Sequence, residues 1–189
     1  CAQGMRPCES ALSKIVDGLA GPGWSVADGF LPEADTARLG AELESLRVAG
    51  GLRPAAVAGG RGSPLVVPST RGDSIRWWEP ESLSPAQVPL WGALEALRAR
   101  LNEELYLGLR GAEAHYARYP PGAGYLKHVD NKRGAAGRVI SCAFYLNSSW
   151  KPGDGGELTL HPAGSGPVVV EPAAGRLAVF LSADLTHEV

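Results

Sequence analysis

Cysteine is scarce in this 189-residue sequence, methionine occurs once, and no long apolar run is present. The three cysteines, Cys1, Cys8 and Cys142, are an odd number without paired spacing, which excludes a disulfide framework and a zinc knuckle. Cys142 lies in an apolar run and is expected to be inert core. No stretch approaches the roughly 18 consecutive apolar residues of a membrane span, and no basic segment followed by an apolar run opens the chain. No membrane is therefore expected as a partner, and the sequence reads as intracellular, in the cytoplasm or nucleus. Charge of one sign is also lacking: Lys and Arg total 18 against 20 Asp and Glu, a formal net charge of −2. That excludes a phosphate-tracking surface, so no nucleic acid is expected. What is present is 44% hydrophobic residues, 25 glycines and 15 prolines, the composition of one globular domain spanning 1–189 and expected to be a monomer. The sequence opens on Cys1 instead of Met and closes at His187-Glu188-Val189 directly after an apolar run. It is expected to be a piece of a longer protein.

Leu12, Ile15, Val16 and Leu19 recur at helical spacing over residues 9–20, and Gly21-Pro22-Gly23 ends that helix. A strand over 24–28 and a helix over 33–49, with Leu39, Leu43 and Leu46 inward, follow. Residues 50–68 are rich in Gly, Ala, Arg and Pro, without periodicity, and read as a long loop that is either mobile or functional. A strand over 73–78 leads to Ser84-Pro85, which opens the longest helix, with Leu90, Leu94, Leu97, Leu101 and Leu105 on one face. Beyond Gly111 the pattern predicts short strands over 112–119, 125–129, 138–146, 157–161, 168–171 and 176–181. Residues 139–146 are apolar at almost every position, which predicts a strand covered on both faces. Residues 1–110 would supply helical support and a substrate loop, and 111–189 a jelly-roll core, giving an α+β fold.

His128 and Asp130 are two apart on a predicted strand, so their side chains should share a face. With His187 at the end of a later strand they offer two imidazoles and one carboxylate, the facial triad that leaves ferrous iron three adjacent open positions. Zinc more often keeps a single open site. The glycines and prolines from Pro120 to Gly124 fit a strand mouth that brings ligands to an opening. His115 and His161 lack this context and read as structural or surface residues.

The run from Tyr119 to Asn131, YPPGAGYLKHVDN, resembles the iron-binding segment of the HIF prolyl hydroxylases, the egl nine type of prolyl 4-hydroxylase. Tyr145-Leu146-Asn147 with Trp150, then Gly155-Gly156-Glu157-Leu158, then Arg176-Leu177 through Phe180, Ser182 and His187-Glu188-Val189 follow in the family's order. Upstream, Asp28-Gly29-Phe30-Leu31 and Arg71-Gly72-Asp73-Ser74-Ile75-Arg76-Trp77 also fit, so the likeness spans nearly the whole chain. The resemblance implies a double-stranded β-helix that binds Fe(2+) through His128, Asp130 and His187. It implies 2-oxoglutarate as cosubstrate, met by the Tyr145 phenol with Tyr119 lining the same pocket, and L-ascorbate as the reductant that keeps iron ferrous. Arg138 and the Arg71-Gly72-Asp73 segment would stand at the entrance for a protein or peptide substrate containing proline, with O2 as co-reactant. The 50–68 loop would close over that substrate.

One part of the family's pattern is missing. The arginine that would hold the far carboxylate of 2-oxoglutarate is expected beyond Val189, together with the last strand of the jelly roll. No cation in the sequence substitutes for it: Arg138 is seven residues from Tyr145, on the opposite face and roughly 23 Å away at strand rise. Lys127 adjoins His128 and so points away, and Arg176 should sit at the far end of its strand. Two rivals stay open on the sequence alone: a non-catalytic jelly-roll module that binds peptide, and a related oxygenase acting on another protein or a small molecule.

Overall fold

In the computed structural model, residues 7–58, 64–131 and 137–189 are described; Cys1 and residues 59–63 of the long loop lie outside them. Helix α1 (Glu9–Ala20) buries Leu12, Ile15, Val16 and Leu19, the stripe that its spacing predicts, and ends at Gly21. Strand β1 (Trp24–Ala27) returns along it so closely that a Cβ at Gly18 would lie 2.6 Å from the Trp24 carbonyl oxygen. Helix α2 (Glu33–Val48) follows.

The 50–68 segment is not a structureless loop. Its described residues pair as short strands: β2 (Arg53–Pro54), then β3 (Val57–Ala58) against β4 (Pro64–Leu65). β2 joins β5 (Ser74–Trp77), whose other edge pairs with β6 (His115–Arg118). Between them α3 (Gln87–Leu105) buries Leu90, Leu97 and Leu101 against α1 and α2. Proline hides such short ladders from a sequence reading, because it withholds a donor and is confined to edges.

Two further sheets build the C-terminal half. Strands β7 (Ile140–Phe144), β8 (Leu158–His161), β9 (Val168–Val170), β10 (Leu177–Leu181) and β11 (Thr186–Glu188) assort into one sheet of order β1-β10-β7 and another of order β11-β8-β9, antiparallel throughout. β10 is the strand covered on both faces. Leu177 and Val179 enter the cluster made by the helices, while Ala178 and Phe180 enter a second cluster with Leu158, Leu160 and Val170. The sequence assigns that position to 139–146, and the structure corrects it. β7 is an edge strand on an open concavity, with Val139 exposed and only Ser141 buried. Cys142 is likewise exposed, not core, and lines the concavity. The architecture is α+β, with helices packed on one sheet and the second sheet on its other face.

Candidate active site

β6 runs out at Arg118, and the chain turns through Tyr119-Pro120-Pro121-Gly122, with Gly122 at φ 79° and the Ala123 amide donating to the Pro120 carbonyl at 3.0 Å. It returns alongside the end of the chain. Tyr125 and Val189 exchange backbone hydrogen bonds of 2.9 and 3.0 Å, and His128 and His187 exchange two of 2.9 Å. Leu126 and Lys127 therefore stand opposite Glu188 alone, which makes this a β-bulge and not the regular strand expected over 125–129. Gly124 is required here, since a Cβ would collide with the Val189 carbonyl oxygen. The bulge seats the two histidines directly across from each other, with ring centroids 4.2 Å apart.

His128, Asp130 and His187 converge so that one ligand atom from each lies within 4.8 Å of the others. Asp130 Oδ1 is 3.4 Å from His128 Nε2 and 3.7 Å from His187 Nε2. His128 Nδ1 is 2.7 Å from the Leu126 carbonyl and His187 Nδ1 is 3.2 Å from that of Leu185. Because a carbonyl only accepts, each Nδ1 carries the proton and donates it, which leaves both Nε2 lone pairs aimed at Asp130. Burial lowers the pKa of His187 and favours the neutral imidazole that a metal requires. Burial alone would raise the pKa of Asp130, but the hydrogen bond from the Ser141 hydroxyl and the charge of Arg138 hold it below the ordinary carboxylate range. Two neutral imidazoles and one ionised carboxylate fit a divalent transition metal.

The triad opens on a cavity of about 1900 Å³, which Tyr119, Tyr145, Arg71 and Arg138 also line. Burial raises the pKa of both tyrosines, so each phenol stays protonated and can donate to a carboxylate. Arg71 holds Asp73 through two bonds of 2.7 and 3.0 Å and lies over the Tyr125 ring at 4.9 Å; Tyr125 in turn stacks on His128 with centroids 3.5 Å apart. Asp73 is 2% exposed, so it anchors Arg71 and does not itself reach the cleft. Arg138 spans Glu113 at 2.6 Å and Asp130 Oδ2 at 3.5 Å on the wall of the cavity. Arg176 is taken up by Asp28 and Glu171. His115 packs against Trp77 with the rings tilted and His161 pairs with Glu188, so both stand outside the triad. Ser141 was not singled out in the sequence, and Tyr125 and Ser182 appeared there only within the family's motifs, without a role. A serine inside the apolar run 139–146 was the one available signal.

The profile of the 2OG-Fe(II) oxygenase superfamily matches residues 114–189. Human prolyl hydroxylase EGLN3 is 34% identical over 178 residues, covering 91% of this chain and 74% of its own. The crystal structure of a prolyl-4-hydroxylase from Pseudomonas putida superposes with a TM-score of 0.85 at 40% identity, over 94% of this chain and 90% of that one. A Trichoplax adhaerens prolyl hydroxylase, in complex with a peptide fragment of the hypoxia inducible factor oxygen degradation domain, superposes with a TM-score of 0.87 at 28% identity, over 96% and 83%.

Proposed function

The chain belongs to the egl nine type of prolyl hydroxylases within the 2OG-Fe(II) oxygenase superfamily, and on that premise we propose that it hydroxylates a prolyl residue of a protein substrate at C4. The observation that carries the reading is the convergence of His128, Asp130 and His187 on one point of a solvent-open cavity. The chain is a 2-oxoglutarate-dependent enzyme using Fe(2+). Dioxygen as co-reactant, ascorbate as the reductant and a double-stranded β-helix as the full form of the two sheets extend that reading.

The residues present divide the work. When bound, ferrous iron and 2-oxoglutarate supply the oxidation chemistry, with succinate and carbon dioxide as the cosubstrate's products. Asp130 contributes a fixed negative charge, while His128 and His187 present neutral Nε2 atoms whose orientation the Leu126 and Leu185 carbonyls hold. Tyr145, with Tyr119 beside it, donates a phenol hydrogen bond to a carboxylate of the cosubstrate. Arg71, fixed by Asp73, and Arg138 meet the peptide at the mouth of the cavity.

The test is anaerobic titration with ferrous iron, followed by mass spectrometry of a prolyl peptide from the hypoxia inducible factor oxygen degradation domain incubated with 2-oxoglutarate and oxygen. Stoichiometric iron uptake that Asp130→Ala abolishes, succinate formation and a gain of one oxygen on the peptide are expected. Wild-type uptake no greater than that of Asp130→Ala would overturn the iron site. Uptake without any succinate would favour a peptide-binding module.

A further inference from the structure

Asp130 is not held by the backbone or by the protein's charged residues alone. Its Oδ2 receives a hydrogen bond of 2.5 Å from the Ser141 hydroxyl, and Ser141 Oγ lies 2.8 Å from Ser182 Oγ. Ser141 is 6% exposed and Ser182 is 0% exposed, so no bulk water competes for either hydroxyl. The two serines come from different strands of one sheet: Ser141 from β7, and Ser182 from the residue just past β10. They meet only because the register sets Ser141 beside Phe180, two residues before Ser182.

The direction of the protons follows from charge. An ionised carboxylate only accepts, so Ser141 must give its single proton to Asp130. Its oxygen is then the acceptor in the second bond, and Ser182 must be the donor there. We propose that Ser141 and Ser182 form a one-way hydrogen-bond relay that fixes Asp130 as a single-oxygen metal ligand, with Ser141 the positioning residue and Ser182 the residue that orients Ser141. Oδ2 is occupied from behind, and Oδ1 is the oxygen left facing both histidine Nε2 atoms. Arg138 also approaches Oδ2, but at 3.5 Å and with its side chain 38% exposed, where solvent screens it and Glu113 shares it. The buried neutral pair therefore dominates the orientation.

The inference rests on the metal reading above, and the experiment separates the two. Anaerobic titration of the whole chain with Mn(II), a redox-inert stand-in for ferrous iron, gives the dissociation constant without turnover. Ser141→Ala is expected to weaken metal binding by about 10- to 100-fold, the usual loss when a group that orients a ligand is removed. Ser141→Thr keeps the hydroxyl and should bind like the wild type, while Ser141→Cys, of similar volume but a weak donor, should behave like Ser141→Ala. Ser182→Ala should weaken binding less than Ser141→Ala, and should have no further effect in the Ser141→Ala background, since among the described residues the Ser182 hydroxyl reaches Asp130 only through Ser141. Wild-type Mn(II) binding that Asp130→Ala does not diminish would defeat the metal reading itself. Intact wild-type binding with unchanged affinity in both Ser141→Ala and Ser141→Cys would overturn the relay, as would equal, additive effects of the two serines. If Ser141→Ala does not fold, the contrast of Ser141→Cys with Ser141→Thr decides between the same two outcomes.

Discussion

Asp73→Asn is expected to be among the most destabilising of the nearly isosteric substitutions at the cleft, although Asp73 touches no reacting group. Its side chain is fully buried and accepts both bonds of the Arg71 fork, and Arg71 itself keeps only 18% of its side chain exposed. Removing one partner of a buried pair costs about 3–5 kcal/mol, because the other charge is left uncompensated. The remaining exposure of Arg71, and the single amide oxygen that Asn still offers, reduce this to about 2–3 kcal/mol. For a domain of this size that is a fall in Tm of about 4–12 °C. The assay is thermal and urea unfolding of the metal-free protein, run as a double-mutant cycle with Arg71→Met. Removing both charges leaves nothing unpaired, so the double variant should be at least about 1 kcal/mol more stable than the sum of the single effects. Arg71 also lies over Tyr125, and Tyr125 stacks on His128, so metal affinity should fall a few-fold in Asp73→Asn even where the protein is fully folded. An Asp73→Asn variant within about 0.5 kcal/mol of the wild type, or strict additivity with Arg71→Met, would refute the pairing argument.

Three other outcomes follow from the same structure. Tyr145→Phe removes a protonated phenol from the cavity wall and should raise the KM for 2-oxoglutarate by about 10- to 150-fold, the range for a lost hydrogen bond to a charged group, while Mn(II) affinity stays within twofold. Leu177→Ala, at a fully buried position of the central strand, should cost about 2–5 kcal/mol, read as a lower urea midpoint with an unchanged m-value. Burial, reinforced by the nearby Arg71, lowers the pKa of His115 in the folded state below its unfolded value of about 6.5. The unfolded chain then takes up the proton first as pH falls, so stability is intact above about 6.5 and declines below it. His115→Gln should flatten that decline between about pH 7 and 5 in urea unfolding of the metal-free protein.

Local patterns told most where structure is locally determined. The stripe Leu12, Ile15, Val16, Leu19 and the Gly21 stop define α1 to the residue, because one helix face packing on one sheet imposes one period. The same logic failed for residues 139–146. Apolar content says that a strand can be buried, not whether it stands in the middle of its sheet. That place went to β10, through pairing with β1, whose partner residues lie at least 150 positions away in sequence. The ladders within 50–68 were hidden for a related reason: Arg53 and Pro54 become a strand only because β5 is there to pair with them.

The triad was legible for a reason other than the one the spacing offers. Two residues apart on a flat strand would put His128 and Asp130 on one face, but His128 is an isolated bridge to His187 and the chain bends at Asp130, so strand alternation does not carry from one to the other. What brings Asp130 round is the hydroxyl of Ser141, and what brings His128 round is the pair of backbone bonds to His187 with the Leu126 carbonyl behind its ring. Ligand identity was thus encoded locally, in a His-x-Asp and a distal His. Ligand aim depends on β7, on the residue after β10, and on β11. A sequence that kept His128, Asp130 and His187 but lost Ser141 and the glycine at 124 would retain the motif and lose the aim, so the motif alone is a weaker predictor of metal binding than the motif with its supports.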